Sequence, residues 1–259
     1  MRKILTLEMI RANNEFRKLI DAANTNLEHM GYTEHGLRHV GYVSKTTANI
    51  LSELGYEERT VELGAIAGWI HDIGNAINRK HHGLTGATLA YDALSRMHME
   101  IDEIALIIGA IGNHEEETGL PVNPISAALI IADKSDAHRS RVRKKTFDYN
   151  DIHDRVNMAI KKNYLVVDKE KRKIRLVIFM DDISSTMDYM QIYLTRILLC
   201  EKAAEFLGCV FELMINGAVI NRQKSVAAEP QLAVGEKEVS EEETASPCKS
   251  VSRSADDKK

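Results

Sequence analysis

The sequence predicts a mainly α fold: an all-helical bundle over 1–163, a small α+β (ββαβ) subdomain over 164–221, and a disordered C-terminal tail over 222–259. Three observations carry this reading. Apolar residues recur at helical spacing, segment after segment, as far as about Asn163. From Leu165 the period shortens to that of β-branched strands. From Arg222 aromatic residues vanish and charges of both signs intermix, so too little apolar area remains to offset the entropy of ordering.

The elements follow in order. Thr6 to Met30 places Leu7, Ile10, Phe16, Leu19, Ile20, Ala23 and Leu27 on one helical face, with Gly31 as the stop. His35 to Leu54 repeats the pattern and ends at Gly55, and Glu58 to Ile73 ends at Gly74. His82 to Met97 is a fourth helix. Ile101 to Gly112 is almost wholly apolar and is expected to be a central buried helix. Pro124 suits the first turn of a helix running to about Arg143. A shorter amphipathic piece covers Asp151 to Lys162. LVVD, the charged turn KEKRK and IRLVIFM then read as a hairpin. Ser185-x-x-Asp188 resembles a capping box opening a helix over Met187 to Leu207, and CVFELMI reads as a third strand.

Composition bounds the function. The 259 residues are 44% hydrophobic and 28% charged, which excludes collagen-like, mucin-like and wholly disordered chains. No apolar run reaches the roughly 18 uncharged residues of a membrane span. MRKILTLEMIRANNEF lacks the apolar region of a secretory signal, so a cytoplasmic protein with no membrane partner is expected. Cys200, Cys209 and Cys248 are too few and too scattered for a disulfide framework or a CxxC zinc site, and the first two read as core thiols. A net charge of −4 argues against a nucleic-acid-coating protein. The informative excess is histidine: ten, two of them directly beside an aspartate.

His39 lies in the first turn of the second helix, His71-Asp72 at the end of the third, His82 at the start of the fourth and His114 at the end of the fifth. Asp133 lies inside the apolar run ALIIADKSDA. Each neighbours strongly apolar sequence, and a buried His or Asp is costly unless paired or metal-bound. One shared cation would satisfy them together. The mixed nitrogen and oxygen donors suit manganese, iron, cobalt, nickel or zinc better than calcium.

These residues occur as EHGLRHV, GWIHDIGN, HHGLTGA, IGNHEEE and IIADKSDA. Over roughly residues 33–145 the pattern H…HD…H…H…D resembles the HD-domain superfamily of metal-dependent phosphohydrolases. The resemblance implies an all-helical HD-type bundle in which His39, His71, Asp72 and Asp133 hold a first divalent transition metal. His82 and His114 would hold a second, with Asp72 between the two. His82-x-x-x-Gly86 resembles the HxxxG step of two-metal members. Asn75 and Asn113 replace residues typical of the cyclic-dinucleotide branch, and His81-His82 stands where the guanosine-tetraphosphate branch carries a Glu-Asp pair. The implied activity is hydrolysis of a phosphate mono- or diester at a mono- or dinuclear His/Asp metal site, with a phosphorylated small molecule or nucleotide as partner. The candidate catalytic residues are Asp72 and Lys134, the latter touching either phosphate or a ligand carboxylate. The alternative is a metal-binding HD module that senses a nucleotide without turnover.

Other residues are read more plainly. His35 is adjacent to the site or at the surface, and His29, His98, His138 and His153 are at the surface. Glu115, Glu116 and Glu117 form a polar loop. Asn75 and Asn113 are candidates to support ligands or substrate. The basic run Arg139 to Lys145 either guides an anionic substrate or complements a helix C-terminus. Met187 and Met190 belong to core or to a subunit interface, and the open sheet edges could pair across a homodimer.

Overall fold

The computed structural model describes residues 4–143 and 147–221. The expected disordered tail lies outside the described residues, as do Lys144 and Lys145 of the basic run. Among the described residues, nine α-helices and a small four-stranded sheet run in the order α1 (Leu7–Ala12), α2 (Asn14–His29), α3 (Leu37–Leu54), α4 (Glu58–Ile70), α5 (His82–Arg96), α6 (Ile101–Gly112), α7 (Pro124–Lys134), α8 (Ile152–Ala159), β1 (Ile160–Asp168), β2 (Lys173–Met180), α9 (Thr186–Phe206), β3 (Val210–Ile215) and β4 (Ala218–Val219). None of the described helices is long and apolar enough to cross a membrane.

The first expected helix is two. Asn13 interrupts it with an extended backbone, and its side chain accepts from the amides of Glu15 and Phe16 to start α2. The helix expected to reach Arg143 stops at Lys134. Ser135 and Asp136 turn the chain, and a 3-10 turn follows over Arg139–Arg141.

The central helix is α7, not α6. Every residue from Ile125 to Ala132 is buried, because α7 packs against α3, α4, α6 and α9. Helix α6 buries one stripe, Ile104, Ile107, Ala110 and Ile111, and leaves Ile101 58% exposed. Its uniform hydropathy masked that sidedness. Helix α4 approaches α3 closely at Gly68, where a Cβ would stand 2.7 Å from the Ser44 Cα.

In the sheet, strand order is β1-β2-β3-β4. β1 and β2 form an antiparallel hairpin closing at Asp168 opposite Lys173, and β3 pairs parallel to β2. A parallel neighbour requires a crossover, and α9 supplies it. The capping box at Ser185 and Asp188 is present. The two-residue β4 has too little sequence for a period and was not expected. Ile174, Leu176, Ile178, Phe211, Leu213 and Ile215 join the same hydrophobic cluster as the helices.

Candidate metal centre

Five helix ends meet at one place. His39 comes from the first turn of α3, His71 and Asp72 from the turn after α4, His82 from the first residue of α5, His114 from just beyond α6, and Asp133 from the last turn of α7. His39, His71 and His114 are fully buried. The chain makes this possible at Gly74. A Cβ there would lie 1.9 Å from the His82 carbonyl oxygen and 2.6 Å from the Gly86 amide, so only glycine lets the turn press against the start of α5. His81 adopts a left-handed backbone and is exposed, which turns His82 inward.

The imidazoles share one orientation. The Nδ1 of His71, His82 and His114 faces the carbonyl of Gly68 (3.0 Å), Arg79 (2.9 Å) and Ile111 (2.6 Å) respectively. That of His39 faces Asp136 Oδ2 at 2.7 Å. Each acceptor fixes the proton on Nδ1 and leaves a lone pair on Nε2. All four Nε2 atoms point at the carboxylates. His39 Nε2 lies 3.3 Å from Asp133 Oδ1 and 3.6 Å from Asp72 Oδ2, and His71 Nε2 lies 3.5 Å from Asp72 Oδ2 and 3.6 Å from Asp133 Oδ1. On the other side of Asp72, Oδ1 lies 3.3 Å from His82 Nε2 and 3.8 Å from His114 Nε2.

These donors fit a metal. His39 Nε2, His71 Nε2 and Asp72 Oδ2 are buried and make no hydrogen bond of good geometry. Each such orphan costs on the order of 1–3 kcal/mol. Donors about 2.0–2.2 Å from a common ion stand roughly 3.0–3.6 Å apart, the spacing found among them. His39, His71 and Asp72 could hold one ion, and Asp72, His82 and His114 another; His71, His114 and Asp133 also lie close enough to share one.

Electrostatics agree with that reading. Burial would raise Asp72 and Asp133, but nearby charges and hydrogen-bond partners outweigh it. His71, His114 and His82 hold Asp72 well below the usual carboxylate range, and Lys134 with His39 and His71 does so for Asp133. Burial opposes the protonated form of His71, yet Asp72 and Asp133 carry it upward. Burial lowers His114 to about 4.

Supporting groups surround the donors. Asn75 donates to Asp72 Oδ1 at 2.9 Å, as expected of a residue that supports a ligand. Lys134 Nζ sits on Asp133 Oδ2 at 2.5 Å, which favours the carboxylate contact of the two expected for it. His35 is buried with its ring edge-on to His39. Asn113 does not join: it donates to the Gly109 carbonyl along α6. Glu115 is not a loop residue in solvent but is buried, accepting from the Gly83 amide at 2.6 Å and lying 2.8 Å from His82 Nδ1. Asp136 went unassigned in the sequence. It is buried, orients His39 and is held by Arg38 through both carboxylate oxygens. Its signal was its place three residues after Asp133, on the turn that closes α7. The basic run is engaged in structure: Arg139 pairs with Asp181 and Arg143 with Glu28. His29, His98 and His153 are exposed, and His138 is half-buried on Ser140 and the Lys161 carbonyl. Cys200 and Cys209 are buried thiols.

The His/Asp cluster is compatible with a metal site. No protein-family model matches the chain. An uncharacterized protein of Methanocaldococcus jannaschii is 27% identical over 149 residues, which cover 48% of this chain and 57% of that relative. The chain thus spans little more than half the length of the curated relative it matches. A predicted HD superfamily hydrolase from an uncultured Thermotogales bacterium, of known crystal structure, is similar at 23% identity and a TM-score of 0.38, over 48% of this chain and 67% of that one.

Proposed function

We propose that the chain is a metal-dependent phosphohydrolase of the HD type, cleaving a phosphate mono- or diester with two divalent transition-metal ions. The observation that carries the reading is the common orientation of four buried imidazoles, each with Nδ1 engaged outward and Nε2 aimed at Asp72 or Asp133. Five unrelated helix ends would not converge in this way to satisfy hydrogen bonds alone, since the inward atoms satisfy none of good geometry at His39 and His71.

In this reading His39, His71, Asp72 and Asp133 hold the first ion, and His82 and His114 hold the second with Asp72 between. Such ions supply positive charge to a phosphoryl group and lower the pKa of water at the site toward neutrality. The chain does the positioning. Asn75 fixes the rotation of the Asp72 carboxylate, so its two oxygens face different pairs of imidazoles. Lys134 takes one oxygen of Asp133 and leaves the other facing His39 and His71. Asp136, held by Arg38, keeps His39 in the tautomer that presents Nε2.

The test is elemental analysis of purified protein, then a panel of phosphate esters with each candidate metal. The wild type is expected to carry metal and turn over at least one ester, and Asp72→Ala to lose both. Full turnover in Asp72→Ala would contradict the proposal. Metal and ester bound without turnover would favour the nucleotide-sensing alternative.

A further inference from the structure

Strand β1 is an edge of the sheet: among the described residues it pairs with β2 and with no second strand. Open edges are commonly blunted by a charge, a proline or a bulge. β1 has its register shift at the start, between Ile160 and Lys162, and its charges at its two ends, Lys161 and Lys162 first and Asp168 last. The stretch between, residues 163–167, carries none of these devices. Tyr164 and Val166 are 37% and 42% exposed on one face, and the Tyr164 ring stacks on that of Phe179 from β2. An uncharged, β-branched run left open in this way is a template for pairing.

Beside this edge runs a groove of about 430 Å³, walled by Tyr42, Lys45 and Glu53 of α3 and by Asn163, Leu165 and Val167 of β1. The two walls run in the same direction. At one end Tyr42 Oη lies 3.0 Å from Ser135 Oγ, and Asn163 donates to the Ser135 carbonyl. At the other the Lys169 ammonium lies against Gly55, just past α3. Charge is therefore sorted along the groove: Lys45 and Lys162 stand toward the Ser135 end, Glu53 and Asp168 toward the Gly55 end. Lys45, Lys162 and Glu53 are exposed and have no ionic partner among the described residues. Asp168 meets Lys171 at 3.4 Å, an exposed pair of little net worth.

We propose that a second copy of this chain docks here, its β1 pairing antiparallel with this β1 in a two-fold dimer. β1 is basic at its start and acidic at its end, so an antiparallel copy brings its acidic end to Lys45 and Lys162 and its basic end to Glu53 and Asp168. With Leu165 on the two-fold axis, Lys162 stands opposite Asp168 of the other copy and Tyr164 opposite Val166. Each contact then occurs twice, as a self-complementary interface requires. The same register sets Lys161 toward Lys169, but neither enters the pairing: Lys161 is held by Asp181 at 3.4 Å, and Lys169 folds against the end of α3. An unrelated strand would cover one edge, whereas a copy covers both edges at once. The dimer does not depend on the phosphohydrolase reading.

Sedimentation velocity on the full chain over a wide range of concentration tests this, with amide hydrogen exchange on the same samples. The chain is expected to dimerise, and the amides of residues 163–167 to gain protection as the dimer fills. Lys162→Glu and Asp168→Lys are each expected to weaken dimerisation about tenfold, because like charges then face each other twice. The two substitutions together are expected to restore it, since the opposite charges are then exchanged rather than lost. Both side chains lie at the surface, so the melting of each variant's monomer should match the wild type. A monomer at every concentration would overturn the proposal. So would a dimer indifferent to both single substitutions, a double variant no tighter than either single one, or a dimer that leaves residues 163–167 unprotected. Protection of those amides in a monomer would assign the edge to another occupant and overturn it equally.

Discussion

His82 Nε2 and His114 Nε2 face each other at 3.1 Å. Both rings already give their Nδ1 proton to carbonyl acceptors, so two lone pairs meet in a buried space. Burial holds the proton affinity of His114 down, to a pKa of about 4, which disfavours a proton there near neutrality. A cation held by both rings would relieve that repulsion.

The first prediction separates the two halves of the cluster. His82→Ala and His114→Ala each remove a donor on the Oδ1 side of Asp72 and leave His39, His71 and Asp133 in place. Metal counting by mass spectrometry should find one ion lost and one kept. Asp72→Ala should lose both. Equal loss in all three variants would mean a single shared ion.

Asp136→Asn should weaken metal binding about 10–100-fold, the usual effect of removing a group that orients a metal-bound histidine. It also has a signature in acid. Burial would raise Asp136, but Arg141, His39 and Arg38 hold it well below the usual carboxylate range. The folded-state pKa is therefore lower than the unfolded value near 3.9. Its stabilisation is complete above about pH 5 and fades as pH falls toward the folded-state value. In metal-free protein, Asp136→Asn should cost about 3 kcal/mol at pH 7 and markedly less at pH 3. Urea midpoints across that range check this, and a cost independent of pH would contradict it.

Gly74→Ala should damage fold and site together. Its new methyl would meet the His82 carbonyl, which is backbone and cannot swing aside. A cost of about 1–3 kcal/mol follows for overpacking. The start of α5 must shift, so the His82 and His114 half should lose metal first. Thermal melting and metal counts on one sample test the coupling. A destabilised variant with both halves fully loaded would refute it.

Chelation should lower thermal stability, because metal binds the folded donors and not the dispersed ones. At a hundredfold excess over the dissociation constant the linkage is about 2.7 kcal/mol. For a chain of this length that is roughly 5–10 °C. A melting curve unmoved by chelator, in protein shown to have held metal, would argue against it.

Much of this centre is legible in the sequence, because its donors break an apolar pattern. An aspartate inside ALIIADKSDA and a histidine after IALIIGAIGN have no use in a core except a polar one. The helices are legible for the same periodic reason, and Ile101–Gly112 is bounded by Glu100 and Asn113 as expected. What the sequence hides depends on tertiary neighbours. Asp136 and Glu115 look like turn residues until Arg38 and His82 are brought to them from distant segments. Arg79, Arg141 and Arg196 come from three separate stretches, and nothing local marks that they line one small polar hollow beside Asp72 and Asp133. The place of α6 is not legible, because hydropathy reports how apolar a helix is, and not which neighbours cover it. The parallel pairing of β2 with β3 likewise depends on the path of α9.

The central claim, that these imidazoles and carboxylates grip metal, is tested most directly by anomalous diffraction from crystals of the protein at the absorption edge of the metal it carries. The account predicts two peaks flanking Asp72, one among His39, His71 and Asp133 and one beside His82 and His114. A map without a peak at Asp72, from protein crystallised with excess of each candidate metal, would contradict it.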